Sequence, residues 1–402
     1  MSGDTPDGDD GQPEVPDPFA ALAGLPMFGD LARALSGQGP INWDAARQFA
    51  HLAANPEGSA PEGNVDPTVR IALANLGRIV DMHVRDLTGY EGTFPELTPV
   101  TPTMWAQRTL EAYRPLFTEL ATSLGRRDTG LAEAGDDPFA AMMANLSSMM
   151  APSMMGMAVG SMVGRMASGA FGQYDLPIPR QDETLLVVPS SIDRFAADWS
   201  LPVDEMRLWV LAQELTGHVL FSLGTVRDEV TALVRQHVGG FRPDPEALME
   251  HLGNMGGDDS DDPMQAMQQA FSDPALLLGA VQSPEQAALA PRLQAAIAAI
   301  VGYVDTIVDG AAVRLVGGEA LRIAEAVRRR RIEQSPHDQF VERLLGLSLD
   351  HEQVQRGKLF VGGVIDRIGE ARLSEAYALP GSLPTPAELD APGLWLARLG
   401  LD

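Results

Sequence analysis

The chain has 402 residues, 45% of them hydrophobic, and a formal net charge of −26 at pH 7. That length allows one large core or two to three domain-sized units. The charge excludes a sequence-independent grip on nucleic acid or on an anionic membrane surface, which needs a cationic footprint, and the absence of cysteine excludes disulfide frameworks, thiolate–zinc sites and cysteine nucleophiles.

Alanine, leucine and glycine outnumber aromatic residues, which favours helix over sheet. Residues 1–17 hold six acidic groups and no basic one, a composition expected to stay disordered because it buries too little apolar surface. No charged-then-apolar leader pattern opens the chain, so a cytoplasmic location is expected. FAALAGLPMFGDLARAL, after Pro18, predicts a short amphipathic helix. Asn42 is a candidate N-cap for a helix from Trp43 to Ala54. Asp66-Pro67 and Thr101-Pro102 each set a capping side chain before a proline at the first helical position, predicting helices from Pro67 to Leu87 and from Pro102 to Leu124. His51 and His83 fall on these helices and lack the several partners a metal site needs; Asp86 follows His83 by three residues.

Gly125 to Pro138 reads as a polar loop. Phe139 to Gly164 then runs 26 residues without a charge and holds eight of the 18 methionines. Asn145, the Ser147-Ser148 pair and Pro152 oppose a membrane span, and Asp136-Asp137 flank it in place of arginines. Two helices broken at Pro152 are expected instead, the second carrying Gly156, Gly160 and Gly164 four apart so that another helix can approach closely. Tyr174 to Pro179 reads as an extended connector, Thr184 to Pro189 as the best strand in the chain, and Ser190 to Trp199 as a helix.

The central stretch is VDEMRLWVLAQELTGHVLFSL, Val203 to Leu223. Met206, Trp209, Val210, Gly217 and Leu220, with Gln213 interposed, follow helical three-and-four spacing and predict one buried stripe. The zinc-peptidase motif H-E-x-x-H places two ligating histidines four apart on such a helix, with the intervening glutamate as general base. Here Glu214 stands in the register of that glutamate, while Gln213 and Gly217 fill the two ligand positions. An amide is a poor zinc donor and glycine offers no donor at all. A lone glutamate without a metal-bound water has no activated nucleophile to generate. The alternative is a shifted site of Glu214, His218 and Asp305, displaced by about 100° around the helix.

Thr225 to Val238 predicts another helix, with His237 near its C-terminal end, where a cationic ring suits the macrodipole. Phe241 to Pro263 reads as an insertion: Asp258, Asp259, Asp261 and Asp262 do not fit the EF-hand template and are expected in a solvated loop. Gln286 to Asp309 predicts a long apolar helix. Glu319 to Glu333 predicts another, whose run Arg328 to Arg331 is expected on a structural surface near the C-terminal end. Asp338 to Leu345, Leu359 to Ile368 and Leu383 to Leu399 complete the helical pattern.

Six segments carry a resemblance: GPINWDAARQFA (Gly39 to Ala50), GQYDLPIP (Gly172 to Pro179), LPVDEMRLWVLAQELTGHVLF (Leu201 to Phe221), VGYVDTIVD (Val301 to Asp309), FVERLLGLSLDHEQVQRGKLFVGGVIDRIG (Phe340 to Gly369) and LPTPAELDAPGLWLARL (Leu383 to Leu399). In order and spacing, from about Phe19 to Leu399, the chain resembles the bacterial zincin-like metallopeptidases usually labelled hydrolases and related to proteins associated with coenzyme F-four-twenty biosynthesis. The resemblance implies a mainly α fold, a multi-helix zincin-like body with little β-structure, and zinc-dependent hydrolysis of peptide bonds. It also implies that Val301 and Tyr303 stand where the family's later helix, E-G-H-V-D, carries acidic or imidazole groups. With Gln213 and Gly217 these are degenerate metal-ligand positions, and Glu214 is a vestigial general base.

The expectation is therefore a pseudopeptidase that binds a protein or peptide, with no cofactor, no nucleic acid and no membrane span. An active zinc hydrolase at the shifted site is the alternative, with zinc as its cofactor. The organisation expected is a tail (1–17), an N-terminal helical part (18–130), a Met/Gly-rich segment and connector (131–182) and a zincin-like helical part (183–402) with the acidic insertion 241–263. Substrate, partner and oligomeric state have no signature in the sequence.

Overall fold

A computed structural model describes residues 39–55, 62–125, 138–180, 184–243, 280, 281, 283–332 and 336–401. The expected tail at 1–17, the helix after Pro18, the loop at 126–137 and the aspartates of the acidic insertion lie outside the described residues. The described chain is mainly helical, with two two-stranded sheets.

The first helix, α1 (Trp43–Ala54), starts where expected: the Asn42 side chain accepts from the amides of Asp44 and Ala45. The Asp66 side chain accepts from Thr68 N at the head of α2 (Pro67–Thr88), and Thr101 accepts from Met104 N at the head of α3 (Pro102–Ala112). Each cap satisfies an amide that the first helical turn leaves without a partner. The single helix expected from Pro102 to Leu124 is two, α3 (Pro102–Ala112) and α4 (Arg114–Leu124), parted at Tyr113. Pro115 supplies the reason, because it has no N–H and its ring crowds the carbonyl four residues back.

The expected break at Pro152 does not occur. One helix, α5, runs from Pro138 to Gly169 with Pro152 inside it. The carbonyl of Pro152 accepts from Asn42 N at 2.8 Å, and Asn42 Nδ2 donates to Ser153 Oγ at 3.3 Å. The start of α1 thus bonds the turn that the proline weakens. The expected close approach is present at the same contact: a Cβ on Gly156, Gly160 or Gly164 would stand 2.2, 2.2 or 2.4 Å from the carbonyl oxygens of Asn42, Ala46 and Ala50.

β1 (Glu96–Pro99) pairs in parallel with β2 (Thr184–Val187), Glu96 opposite Thr184 and Pro99 opposite Val187. The expected strand is shortened because Pro189 opens the next helix, α6 (Pro189–Asp198). Beyond β2, Val188 N donates to Phe171 O at 2.8 Å and Gly172 bridges Val187, which fixes the segment after α5 beside the sheet. That segment is not the extended connector expected at Tyr174: Gln173–Asp175 close a single 3-10 turn.

The central helix α7 (Val203–Ser222) has its expected stripe buried, with Met206, Trp209, Val210, Gly217 and Leu220 all inside and Gln213 half-buried. α8 (Gly224–Gly239) follows it, and β3 (Arg242–Pro243) pairs with β4 (Ala280–Val281). α9 (Pro284–Leu315) is the one helix among the described residues long and apolar enough to cross a membrane, and 67% of its most apolar window is buried within the fold. It packs against α2, α7 and the later helix α12 (His351–Ile368). The remaining helices are α10 (Ala320–Ile332), α11 (Pro336–Leu345), α12 (His351–Ile368), α13 (Leu373–Tyr377), α14 (Pro386–Asp390) and α15 (Pro392–Leu399).

Candidate functional site

Glu214 is completely buried on α7. Its Oε2 accepts from Gln173 N at 2.8 Å and from Tyr174 N at 2.9 Å, while Oε1 has no hydrogen-bond partner. The turn it holds is tied down elsewhere too. Trp105 Nε1 donates to Gly172 O at 2.7 Å, and Gln173 Oε1 accepts from Leu186 N at 3.2 Å. Gly172 is required here because a Cβ would fall 2.3 Å from the Glu214 carboxyl carbon. Burial, seconded by the nearby Asp175 carboxylate, pushes the Glu214 carboxyl well above its ordinary range, against the pull of the two amides.

One turn along α7, Tyr174 occupies the space in front of Gly217. A Cβ on Gly217 would stand 2.9 Å from the ring's Cγ and Cδ2, and the ring stacks on Phe221 with centroids 5.5 Å apart. Gln213, Gly217 and Tyr174 line one cavity of about 300 Å³. Val301 faces the same cavity from α9. Tyr303 does not line it, because two residues along a helix is a turn of about 200°. Its hydroxyl shares a hydrogen bond with Ser374 Oγ at 2.9 Å, its ring meets Tyr377 edge-on at 5.0 Å, and burial pushes its hydroxyl up to about 12.

The shifted set of Glu214, His218 and Asp305 is not assembled. His218 is half-buried beside Tyr90 and Phe94, its Nε2 3.5 Å from the Tyr90 hydroxyl, and burial lowers its proton affinity. Asp305 accepts two hydrogen bonds from Arg331, at 3.0 and 3.2 Å. Each of the three side chains is thus engaged by a different neighbour.

The arginine run of α10 lies partly exposed: Arg329 is exposed, and Arg328, Arg330 and Arg331 are half-buried against neighbouring groups. Arg328 grips both carboxylate oxygens of Asp309, at 2.6 and 2.5 Å. Arg330 lies 3.8 Å from the Phe171 ring centroid, donates to Gly169 O at 2.6 Å and stands 3.6 Å from Asp175. Arg331 holds Asp305, and although burial opposes its charge, that carboxylate raises its proton affinity further. Guanidinium groups can be partly covered when carboxylates meet them, and here α9 supplies two, Asp305 and Asp309.

His51 is exposed and His83 half-buried; Asp86 pairs with Arg314. His237, near the helix end where a cationic ring would be tolerated, is buried; its Nε2 donates to Arg343 O at 3.2 Å, and burial lowers its proton affinity. Sequence reasoning missed the roles of Trp105, Gln173, Tyr174 and Arg330. The one available signal was the segment Gly172 to Pro179, which belongs to the resemblance yet reads locally as a connector.

The body is mainly helical, and its central helix α7 carries the buried Glu214 and borders the cavity through Gln213, Gly217 and Phe221. The sequence pattern of the zincin-like metallopeptidases matches residues 41–396, and the chain belongs to that family. Comparison with curated proteins found no match. Among solved structures the chain is similar to a protein from Chloroflexus aurantiacus, described as a candidate hydrolase with a novel fold. The two share 21% identity over 90% of this chain and 99% of that one, with a TM-score of 0.59, a likeness of fold.

Membership corrects one expectation. The reading that no cofactor accompanies the chain rested on two small motifs, whereas the family, a metallopeptidase family by its description, matches nearly the whole length and brings zinc as its metal. The residues at the inherited register do not fit that ion: Gln213 is a neutral amide, Gly217 has no side chain, and Glu214 is engaged by two backbone amides. Among the described residues no three His, Cys, Asp or Glu side chains are grouped closely enough to hold a metal ion.

Proposed function

We propose that the chain is a pseudopeptidase: a zincin-like family protein that binds a peptide or a protein segment in the cavity beside α7 and does not cleave it through the H-E-x-x-H register. The observation that carries this reading is the occupation of that register. The Tyr174 ring fills the space a side chain at position 217 would need, and the carboxyl that would serve as general base accepts from Gln173 N and Tyr174 N. A general base must reach the proton it abstracts, and Glu214 is fully buried and absent from the cavity lining. The cavity itself supports binding, being lined by apolar residues with a few charged groups among them, as small-ligand sites are.

The test is turnover. Purified full-length protein is incubated with a fluorogenic peptide library, with and without added zinc, beside its Glu214→Gln variant. No cleavage above background is expected from either protein. Zinc-dependent cleavage by the parent that the variant lacks overturns the reading.

A further inference from the structure

The charged groups that line the cavity beside α7 are already engaged by their neighbours. Arg330 donates to Gly169 O at 2.6 Å, lies 3.8 Å from the Phe171 ring centroid and stands 3.6 Å from Asp175. Asp175 also accepts from Phe171 N. Arg331 is held by two hydrogen bonds to Asp305, and Arg165 and Glu342 have partners of their own. A charged ligand entering here loses its hydration and finds no counter-charge free to meet it.

Gln213 is different. It lines the same cavity, half-buried, at the first ligand position of the H-E-x-x-H register. Among the described residues no hydrogen bond, ion pair or ring contact engages its side chain. The amide offers a carbonyl acceptor and two N–H donors. A wholly apolar ligand would cover them and return nothing, leaving both ends of the amide without partners. The ligand that answers both conditions is neutral and presents a donor and an acceptor side by side.

Within a peptide, one residue in extended conformation does this. Its own N–H and C=O point to the same side, which is why facing residues of an antiparallel pair exchange two hydrogen bonds. A peptide terminus does not, because it carries a charge that the cavity leaves unmatched. Much of the remaining lining is apolar, Met166, Leu176, Ile297, Ile300, Val301 and Leu349 among it. The volume of about 300 Å³ sits at the lower limit of about 300–1,000 Å³ for small-ligand pockets, which suits a single aliphatic side chain with its flanking peptide units.

We infer that the cavity binds one aliphatic residue from within a peptide chain, in extended conformation, whose N–H donates to Gln213 Oε1 and whose C=O accepts from Gln213 Nε2. This rests on the peptide-binding reading above and makes it specific: the site reads the interior of a chain and neither of its free ends. Gln213 thereby orients a peptide backbone from a position that the motif gives to a metal ligand.

Ligand-observed NMR titration of the full chain tests it. The probes are N-acetyl-leucine N-methylamide, its ester analogue in which oxygen replaces the leucine N–H, free leucine, and a pool of decapeptides capped at both ends. N-acetyl-leucine N-methylamide is expected to bind. The ester analogue, which has lost the donor, and free leucine, which carries two charges, are each expected to bind roughly 10- to 100-fold more weakly. Gln213→Leu should lower the affinity for the amide by a similar factor and erase its preference over the ester, with Gln213→Met in its place if the first variant fails to keep the parent's unfolding temperature. Undiminished binding of the ester or of free leucine, undiminished binding by the folded variant, or binding of the decapeptides alone overturns the inference and leaves the peptide-binding reading standing. Failure of every peptide to bind overturns both.

Discussion

Tyr174 and Gly217 are a matched pair: a single carbon added to the glycine would stand 2.9 Å from two atoms of the tyrosine ring. The tyrosine is fixed from behind by its own amide, which donates to Glu214, so the ring cannot yield cheaply. Gly217→Ala is expected to destabilise the protein by about 1–3 kcal/mol, the usual range for overpacking a filled core. In a Tyr174→Ala background the same change should be nearly neutral. Urea unfolding of the four proteins of this double-mutant cycle checks the coupling, and additive losses refute the pairing.

Glu214 gives a second prediction, because its two carboxyl oxygens are used so unequally. Glu214→Ala leaves the amides of Gln173 and Tyr174 buried without an acceptor and is expected to cost about 2–5 kcal/mol. Glu214→Gln keeps an acceptor in place and should cost far less. The pH dependence has a definite sign. The folded carboxyl titrates well above its ordinary value of 4.5, so from that value upward the native state holds a proton that the unfolded chain has released. Its favourable contribution is complete below pH 4.5 and is lost as the pH rises through the folded pKa. Urea midpoints at pH 5 and pH 8 should therefore fall more steeply for the parent than for Glu214→Gln, and parallel slopes would contradict the assignment.

The pair of Asp305 and Arg331 ties α9 to α10 by two hydrogen bonds with the carboxylate side chain only 10% exposed. Asp305→Ala strands the guanidinium and is expected to lose roughly 1.5–3 kcal/mol. Arg331→Met in the same protein should recover part of that loss, since replacing both members of a buried pair removes the unmatched charge. A double variant no more stable than Asp305→Ala in urea unfolding would show that the pair carries little.

How far the sequence could be read depended on the range of each interaction. Asn42, Asp66 and Thr101 announce helix starts because a cap acts on amides two or three residues away. The α7 stripe and the spacing of Gly156, Gly160 and Gly164 are also local, and Gln213, Gly217 and Val301 do meet at one cavity. The turn at Gln173–Asp175 could not be read, because what shapes it is a carboxyl some forty residues downstream. Arg328 and Arg331 look like a solvated face until Asp309 and Asp305 are placed opposite them. Tyr303 could not be placed for a different reason: a motif position says nothing about which side of α9 meets the cavity.

Gly160 sits at the middle of the contact between α1 and α5, where its missing Cβ would lie 2.2 Å from the Ala46 carbonyl oxygen and 2.9 Å from the Ala46 Cα. Backbone cannot rotate out of the way as a side chain can, so Gly160→Ala must push the helices apart along their length. Alanine's better helix propensity, worth about 1 kcal/mol over glycine, works in the opposite direction and should be outweighed. The expected net loss is about 1–3 kcal/mol, read from urea unfolding. Gly362 on α12 has open space where a Cβ would stand, with no neighbouring atom within 4 Å, so Gly362→Ala should stabilise by a few tenths to about 1 kcal/mol. If both substitutions stabilise alike, propensity governs at both sites and the close approach of α1 and α5 contributes nothing.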